Sequence, residues 1–454
     1  MMTGAAEQAA EQVAEQAADI ERAAAGRTLL DALDEAASGH GDTAALKWRS
    51  GSTWQSLGWR EVRDQAGLAA LGLGELGVGP GELVGILMSN RPELVIADLA
   101  LLHLRAVPVC LFDSFTDEQL ATVLRTLGIR TVIAEGEAGL RRLGGAARAV
   151  LMTGDVPGTT PWQALMAAGR ARAALGDGRL EELRRAVHPD DLVSVNYTSG
   201  TTGGLKGVRH THKNVLWHAE SFARFMPVPP GTRFLSYLSR AHATERFVST
   251  WYPLTRAATI HLCPGPLQLG EYLAEVRPQF FGGVQRVWEK LYAARVPPPG
   301  LDEVGFAFSG GGALAGSVLE FFHSAGVPLA EGWGQSELVS AAACGRAGEL
   351  RIGAAGRPLP GVAIRVAADG ELLVRSGSQM LGYAGPTAMA DPAGADGWLH
   401  TGDLGRIDTD GYVHVDGRRQ EVFRLAGGHL VSATRVESQL RANLLVDDAC
   451  VVGA

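Results

Sequence analysis

Between Asp42 and about Ala186, short apolar runs alternate with stretches of helical spacing, and this rhythm restricts the possible folds more than any other feature. Trp59 to Leu76 carries apolar residues at helical spacing, and Leu83 to Met88 reads as a buried strand. Pro92 to Leu104 is helical again, Ala106 to Phe112 is a second apolar run, Asp117 to Leu127 is helix and Thr131 to Ala134 is strand. Strands separated by helices pair in parallel and are covered by those helices, so the expected class is α/β. The same rhythm resumes after Asp191 and runs to about Leu338. From Ile352 to Val415 it gives way to short strands with Gly and Asp turns (Gly361 to Val366, Glu371 to Val374, Gly411 to Val415), a β-rich section. A last segment from about Arg418 holds a hairpin (Val422 to Val431), a helix (Thr434 to Leu444) and an apolar run (Ala449 to Val452). That run reads as a strand in an unfinished element. At the other end, residues 1–25 repeat Ala-Glu-Gln units, with only Val13 and Ile20 interrupting an alanine stripe, which predicts a solvated or disordered helix.

Composition excludes several classes of function. The chain has 454 residues, 46% of them hydrophobic, enough for a sizeable core, and a formal net charge of −8 spread along its length, which argues against a nucleic-acid partner. Cys110, Cys263, Cys344 and Cys450 lie far apart and match neither a disulfide nor a zinc spacing, so a reduced, cytoplasmic protein is expected. No uncharged apolar run reaches the roughly 18 residues of a transmembrane segment, and the first residues lack the order of a signal peptide. Glycine is frequent, at 59 residues, and lysine is scarce: Lys47, Lys206, Lys213 and Lys290 are all there are. Any chemistry that needs a lysine therefore has four candidates.

One of the four ends the most informative stretch, Val195-Asn196-Tyr197-Thr198-Ser199-Gly200-Thr201-Thr202-Gly203-Gly204-Leu205-Lys206-Gly207. Glycines for close backbone approach, hydroxyl donors and one cation, following an apolar run, are what a polyphosphate requires. A P-loop of the GxxxxGK[ST] type needs Gly before Lys and a hydroxyl after it; here Leu205 precedes Lys206 and Gly207 follows, so that reading fails.

The stretch resembles the signature of the adenylate-forming superfamily of acyl-CoA synthetases, peptide-synthetase adenylation domains and luciferases. Further segments agree in the expected order. Ala241-His242-Ala243-Thr244-Glu245-Arg246 resembles the second motif, and Ser309-Gly310-Gly311-Gly312-Ala313-Leu314 the adenine-contacting loop. Glu331-Gly332-Trp333-Gly334-Gln335-Ser336-Glu337 resembles the magnesium and adenylate motif, Trp398-Leu399-His400-Thr401-Gly402-Asp403 the ribose-binding motif, and Gly417-Arg418-Arg419 the hinge. Val284 to Lys290 and the AHxxER form are closest to the long-chain fatty acyl-CoA synthetase branch. The resemblance implies a large N-terminal domain over 26–416, two sheets sandwiched by helices with the β-rich subdomain at 352–416, and a partial C-terminal domain over 417–454.

It also implies a chemistry: ATP-dependent activation of a carboxylic acid, a fatty acid first, to an acyl-adenylate, then transfer to CoA or to a carrier-protein thiol. Two anions must approach, so placed positive charge and donors should carry the catalysis. By resemblance Thr198, Ser199, Gly200, Thr201, Thr202, Gly203 and Lys206 hold the phosphates, and Glu337 ligates Mg²⁺. Gly310, Gly311 and Gly312 border the adenine, as do Glu331, Gly332, Trp333, Gly334, Gln335 and Ser336 around the adenylate. Asp403 takes the ribose hydroxyls, Arg418 contacts ribose or phosphate, and His242 lies near the carboxylate and α-phosphate. Glu245 reads as a structural or magnesium-side acid. The pair His210 and His212 has a spacing that zinc accepts, but this tail of the loop motif normally carries histidine, and a metal is not expected there.

Departures from the pattern limit the expectation. No lysine follows Lys290, whereas family members carry an essential C-terminal one; the stretch after Lys290 is short where the branch has a helical insertion; Arg240 replaces an apolar or proline residue; and His429 stands where lysine is common. Three readings result: an acyl-CoA ligase completed by further sequence, an adenylating chain that borrows its lysine from a partner or a separate C-terminal domain and serves another acceptor, and a non-catalytic nucleotide- or acyl-binding homologue.

Overall fold

The computed structural model describes residues 2–144, 148–154, 156–199, 205–294, 299–349, 351–385, 394, 396–424, 430–441, 443, 445–446 and 449–452. The predicted rhythm resolves into two principal sheets. The first has five parallel strands in the order Val107–Cys110, Leu83–Leu87, Thr131–Ala134, Arg148–Leu151 and Thr160–Pro161. The second has nine strands, whose interior runs parallel: Leu329–Gly334, Phe306–Gly310, Phe280–Val284, Arg233–Ser236, Thr259–Leu262 and Ala44–Ser50. Antiparallel strands close its two edges, Thr53–Gly58 on one and Ala341–Cys344 followed by Arg357–Pro358 on the other.

Local chemistry explains why the helices lie where the spacing placed them. Asp117–Leu127 begins in a reciprocal capping box, with Thr116 Oγ1 accepting from the Gln119 N–H and Gln119 from the Thr116 N–H. It ends at Gly128, whose φ of 64° is the left-handed turn glycine makes without cost. Pro92–His103 starts with proline at its first turn and is buried all round. Its Val95, Leu99 and Leu102 belong to one apolar cluster while Leu94, Ile96, Ala97, Ala100 and Leu101 belong to another, so this helix is the wall shared by two cores.

Two smaller sheets follow. The β-rich section forms a four-stranded antiparallel sheet in the order Ala363–Val366, Glu371–Arg375, Leu399–Ile407 and Val413–Arg418. The glycine-rich motif is the tip of a hairpin between Leu192–Ser199 and Leu205–Thr211, to which the two-residue strand Tyr383–Ala384 adds an edge. Lys206 therefore lies within a strand.

The two ends of the chain differ from expectation. The N-terminal segment is one helix, Met2–Ala24, and it is not solvated along its length: Ile20 and Ala24 are buried in the main core, Gln16 Oε1 accepts from the Gly361 N–H at 3.1 Å, and Glu21 pairs with Lys213 at 3.0 Å. One isoleucine and the small alanine faces, which permit close approach, suffice for docking. In the last segment the hairpin (Val422–Arg424 with Leu430–Ser432) and the helix Ala433–Arg441 form, but Ala449 to Val452 is not a strand; the Val451 N–H donates to Glu437 Oε1 at 2.9 Å instead of to a neighbouring strand.

Candidate functional site

Four of the predicted segments border one cleft of about 380 Å³, a volume suited to a small-molecule ligand. Its walls are the turn Gly311 to Gly316 after the strand Phe306–Gly310, the strand Leu329–Gly334, the segment Ile352 to Ala355, and Asp403 and Arg418 from the antiparallel sheet. Parallel strands ending side by side place their C-terminal loops here, the position at which open α/β sheets bind ligands. Glycine is required where backbone must approach closely. A Cβ on Gly334 would lie 2.0 Å from the Ser340 carbonyl oxygen, a backbone atom that cannot give way. Gly311 borders the cleft with a φ of 82°, a left-handed turn that glycine makes without strain. Glu331 is buried, and its Oε1 accepts from the Leu314 N–H at 2.9 Å, which fixes the turn against the neighbouring strand.

Asp403 is 4% exposed and is held at both oxygens. Trp333 Nε1 donates to Oδ2 at 2.8 Å, and Arg418 Nε lies 3.0 Å from Oδ1. Arg418 is opposite Asp403 in the ladder between Leu399–Ile407 and Val413–Arg418, so strand register, rather than chance contact, pairs them. Loss of hydration raises the Asp403 pKa, against the lowering influence of Arg418 and Trp333, and the charge of Glu337 raises it further. Glu337 is thus near enough to act on the cleft electrostatically.

A second group lies where the phosphate hairpin meets the magnesium motif. Glu337 is the middle residue of the short 3₁₀ turn Ser336–Leu338, which Gln335 precedes. Its carbonyl oxygen accepts from the Met380 N–H at 2.8 Å, and its Oε1 accepts from the Tyr383 hydroxyl at 2.8 Å. Lys206 Nζ sits over the Tyr383 ring, 5.4 Å from its centroid. The backbone at Val339, two residues on, has a φ of 69°, which a β-branched residue rarely tolerates; such strain, about 1–3 kcal/mol, concentrates at functional sites. Among the described residues no group of three or more His, Cys, Asp and Glu could hold a metal. A single carboxylate beside a cation suits a hard cation that brings its own oxygen ligands with a polyphosphate, so Glu337 fits Mg²⁺ in that role and not as part of a protein cage.

His242 is placed by a different element. It caps the short helix Ala243–Arg246 with its ring edge-on to Phe112 at 4.6 Å, and loss of hydration lowers its pKa. The link to the phosphate hairpin is indirect: Asn196 Nδ2 in the strand Leu192–Ser199 donates to the Ala241 carbonyl at 3.1 Å. Glu245 is buried and accepts from Ser236 Oγ at 3.0 Å and Ser249 Oγ at 2.6 Å, the bonding of a structural acid. Burial raises its pKa. Its neighbour Arg246, fully buried, is ion-paired with Asp98 on the helix shared by the two cores. Arg240 is buried too, donates to Thr250 Oγ1, and has no partner for Nε or Nη2 among the described residues.

The histidine pair separates. His210 is buried in the strand Leu205–Thr211 with its ring edge-on to Trp251 at 6.3 Å, while His212 opens the helix His212–Phe225 and its Nδ1 accepts from the Leu29 N–H at 2.9 Å. Burial holds both pKa values at about 3. Gly200, Thr201, Thr202 and Gly203, together with His429, lie outside the described residues; Thr198 and Ser199 are described only as backbone of the strand that leads into the motif. Tyr383 was not anticipated. A lone tyrosine in a β-rich section carries no local signal, and only the pairing of its strand with Leu205–Thr211 brings it to the site.

Comparison with known proteins gives the family and the fold. Residues 33–384 match the family described as AMP-binding enzyme. The long-chain-fatty-acid–CoA ligase FadD15 of Mycobacterium bovis is 31% identical over 88% of this chain and 76% of its own length. ACSBG2 of Xenopus laevis, also a long-chain-fatty-acid–CoA ligase, is 24% identical over 94% of this chain and 68% of its own. Among solved structures, the anthranilate CoA ligase AuaEII with anthranoyl-AMP superposes with a TM-score of 0.81 at 23% identity, covering 94% of this chain and 85% of that one. O-succinylbenzoate CoA synthetase of Bacillus subtilis with ATP and magnesium gives 0.77 at 22% identity, covering 93% and 86%.

Proposed function

The chain belongs to the AMP-binding enzyme family, and from that premise we propose that it joins a carboxylic acid to ATP, releasing pyrophosphate and forming an acyl-adenylate, and then passes the acyl group to a thiol. A fatty acid is the substrate class and CoA the acceptor that the named relatives favour. The observation that carries the reading is the continuity of the two groups: the cleft ends at Gly334, and three residues later Glu337 stands with Lys206 and Tyr383. One end takes a base and ribose, the other a charged polyphosphate.

In this reading Asp403 accepts from the ribose hydroxyls while Arg418 and Trp333 hold its carboxylate in place. The backbone of Gly311 and Gly312 lies against the adenine. Lys206 leaves the Tyr383 ring to pair with phosphate oxygens, offsetting the repulsion between the acid and the triphosphate. Mg²⁺, held by Glu337 and the phosphates, would supply further neutralisation of charge on the departing pyrophosphate. His242, uncharged at neutral pH through its lowered pKa, orients the incoming carboxylate as a hydrogen-bond donor rather than as a base, because the nucleophile is already ionised. No helix among the described residues is long and apolar enough to cross a membrane, and Cys110, Cys263 and Cys344 are buried free thiols, which supports action in the reducing cytoplasm.

ATP–pyrophosphate exchange with a panel of fatty and aromatic acids tests the first half-reaction, and thioester formation with CoA or a carrier-protein thiol tests the second. Exchange with one acid class and thioester with CoA is the expected result. Exchange restored only by adding a separate C-terminal domain would favour the partner-dependent reading. ATP binding without exchange under either condition would leave a nucleotide-binding homologue.

A further inference from the structure

We propose that Tyr383 is a positioning residue for the metal–phosphate end of this site: its hydroxyl orients Glu337 toward the cation and its ring holds Lys206 ready for the phosphates. The inference rests on the nucleotide reading above. Three features carry it. The strand Tyr383–Ala384 is only two residues long, yet it is fixed in register against the lysine-bearing strand, with Tyr383 opposite Val208 and Ala384 opposite Gly207. Reciprocal main-chain bonds extend the pairing: the Leu381 N–H donates to the Arg209 carbonyl at 3.0 Å and the Arg209 N–H to the Gly382 carbonyl at 3.1 Å. Gly382 and Gly385, with φ of 113° and 112°, let the chain bend sharply on either side of so short a strand.

Glu337 is tied to the same segment twice, through the Met380 N–H to its carbonyl and through the Tyr383 hydroxyl to Oε1, each at 2.8 Å. With Oε1 taken by the hydroxyl, the carboxylate can turn only as far as that bond permits, and Oε2 is the oxygen presented to a cation. Outer partners of this kind orient a ligating carboxylate, and their loss typically costs 10–100-fold in metal affinity. On its face the same ring carries Lys206 at 5.4 Å. A cation–π contact is weak enough to be exchanged for phosphate oxygens, yet it stops the long side chain from sampling solvent. One side chain thus sets both charged groups, hydroxyl to one and ring to the other.

This division makes the proposal separable by substitution. Tyr383→Phe removes the hydroxyl and keeps the ring; Tyr383→Leu removes both. ATP affinity is measured by calorimetry with Mg²⁺ and with EDTA, on the parent, the two variants and Glu337→Gln. In Tyr383→Phe the gain in affinity from Mg²⁺ should fall by about tenfold or more, with affinity in EDTA unchanged. In Tyr383→Leu affinity in EDTA should fall as well, because Lys206 loses its platform. A Phe variant with the parent's full Mg²⁺ gain, or one that loses affinity equally in both conditions, overturns the role of Tyr383 while leaving the site reading intact. A Mg²⁺ gain that survives in Glu337→Gln, or is absent from the parent, overturns the metal reading and this inference with it.

Discussion

The Asp403 carboxylate offers a sharp test of the nucleotide cleft. It is 4% exposed and its two oxygens are already engaged by Trp333 and Arg418, so a ribose would meet an acceptor that is charged, buried and immobile. A hydrogen bond to a charged group contributes about 1.5–3 kcal/mol, and one between neutral groups about 0.5–1.5 kcal/mol. Removing one ribose hydroxyl should therefore weaken binding to the parent by about 10- to 150-fold. In Asp403→Asn, which keeps the shape and an oxygen for Trp333 but loses the charge, the same deletion should cost only about 2- to 12-fold. Calorimetry with ATP and 2′-deoxy-ATP on both proteins gives the four affinities. Any general disturbance of the cleft by the substitution cancels in the comparison, since it affects both ligands alike. Equal ratios in the two proteins would refute the assignment. There is also a stability arm. The folded-state pKa of Asp403 is raised, chiefly by burial, so its contribution to stability is present below the unfolded-state pKa and lost as pH rises through the raised value. The charge itself disfavours folding at pH 7, and Asp403→Asn should unfold at no lower temperature than the parent there.

Lys206→Ala should weaken ATP by about 10- to 150-fold through loss of one charge-assisted contact. It should change AMP binding far less and leave thermal unfolding unchanged, because Lys206 is only partly buried; equal losses for ATP and AMP would move the lysine away from the outer phosphates. Asp98→Ala leaves the fully buried Arg246 without its counter-charge and should cost about 3–5 kcal/mol in denaturant unfolding, whereas a loss under 1 kcal/mol would mean that Arg246 is hydrated by some other route. Acidification should destabilise the protein well above the usual carboxylate range. Burial holds His103 and His261 at about 4, and His210, His212 and His218 at about 3. With folded-state values depressed, the stability they contribute is intact above the unfolded-state value of about 6.5 and is lost as pH falls toward 3–4, by on the order of 1 kcal/mol per histidine between pH 7 and 5.5. A melting temperature flat across that interval would contradict the burial of these rings.

What the sequence made legible follows the range of the interactions that fix each element. The helix Asp117–Leu127 coincides with its expected span because Thr116, Gln119 and Gly128, the residues that start and stop it, are chain neighbours. Leu83–Leu87 and Thr131–Ala134 were readable because a strand buried on both faces must be an unbroken apolar run. The residues around the cleft were singled out by resemblance: its glycines, Asp403 and Arg418 stand in compact motifs, and the structure brings those motifs to one cleft with Arg418 opposite Asp403 in the ladder. Where contact depends on a distant segment the local pattern fails. The stripe of alanine on Met2–Ala24 looks too weak to dock until Ile20 and Gln16 find the residues around Gly361, and Ala449 to Val452 looks like a strand, yet the Val451 N–H donates to the Glu437 side chain on the preceding helix. Tyr383 is the instructive case. Its two-residue strand is too short for any periodicity, and its function is defined entirely by what lies across the ladder and across the 3₁₀ turn. The residues proposed to touch the nucleotide stand in compact motifs, whereas Tyr383, proposed to aim two of them, is placed by tertiary pairing. A site of this kind is therefore read from sequence in its contacts before it is read in its alignment.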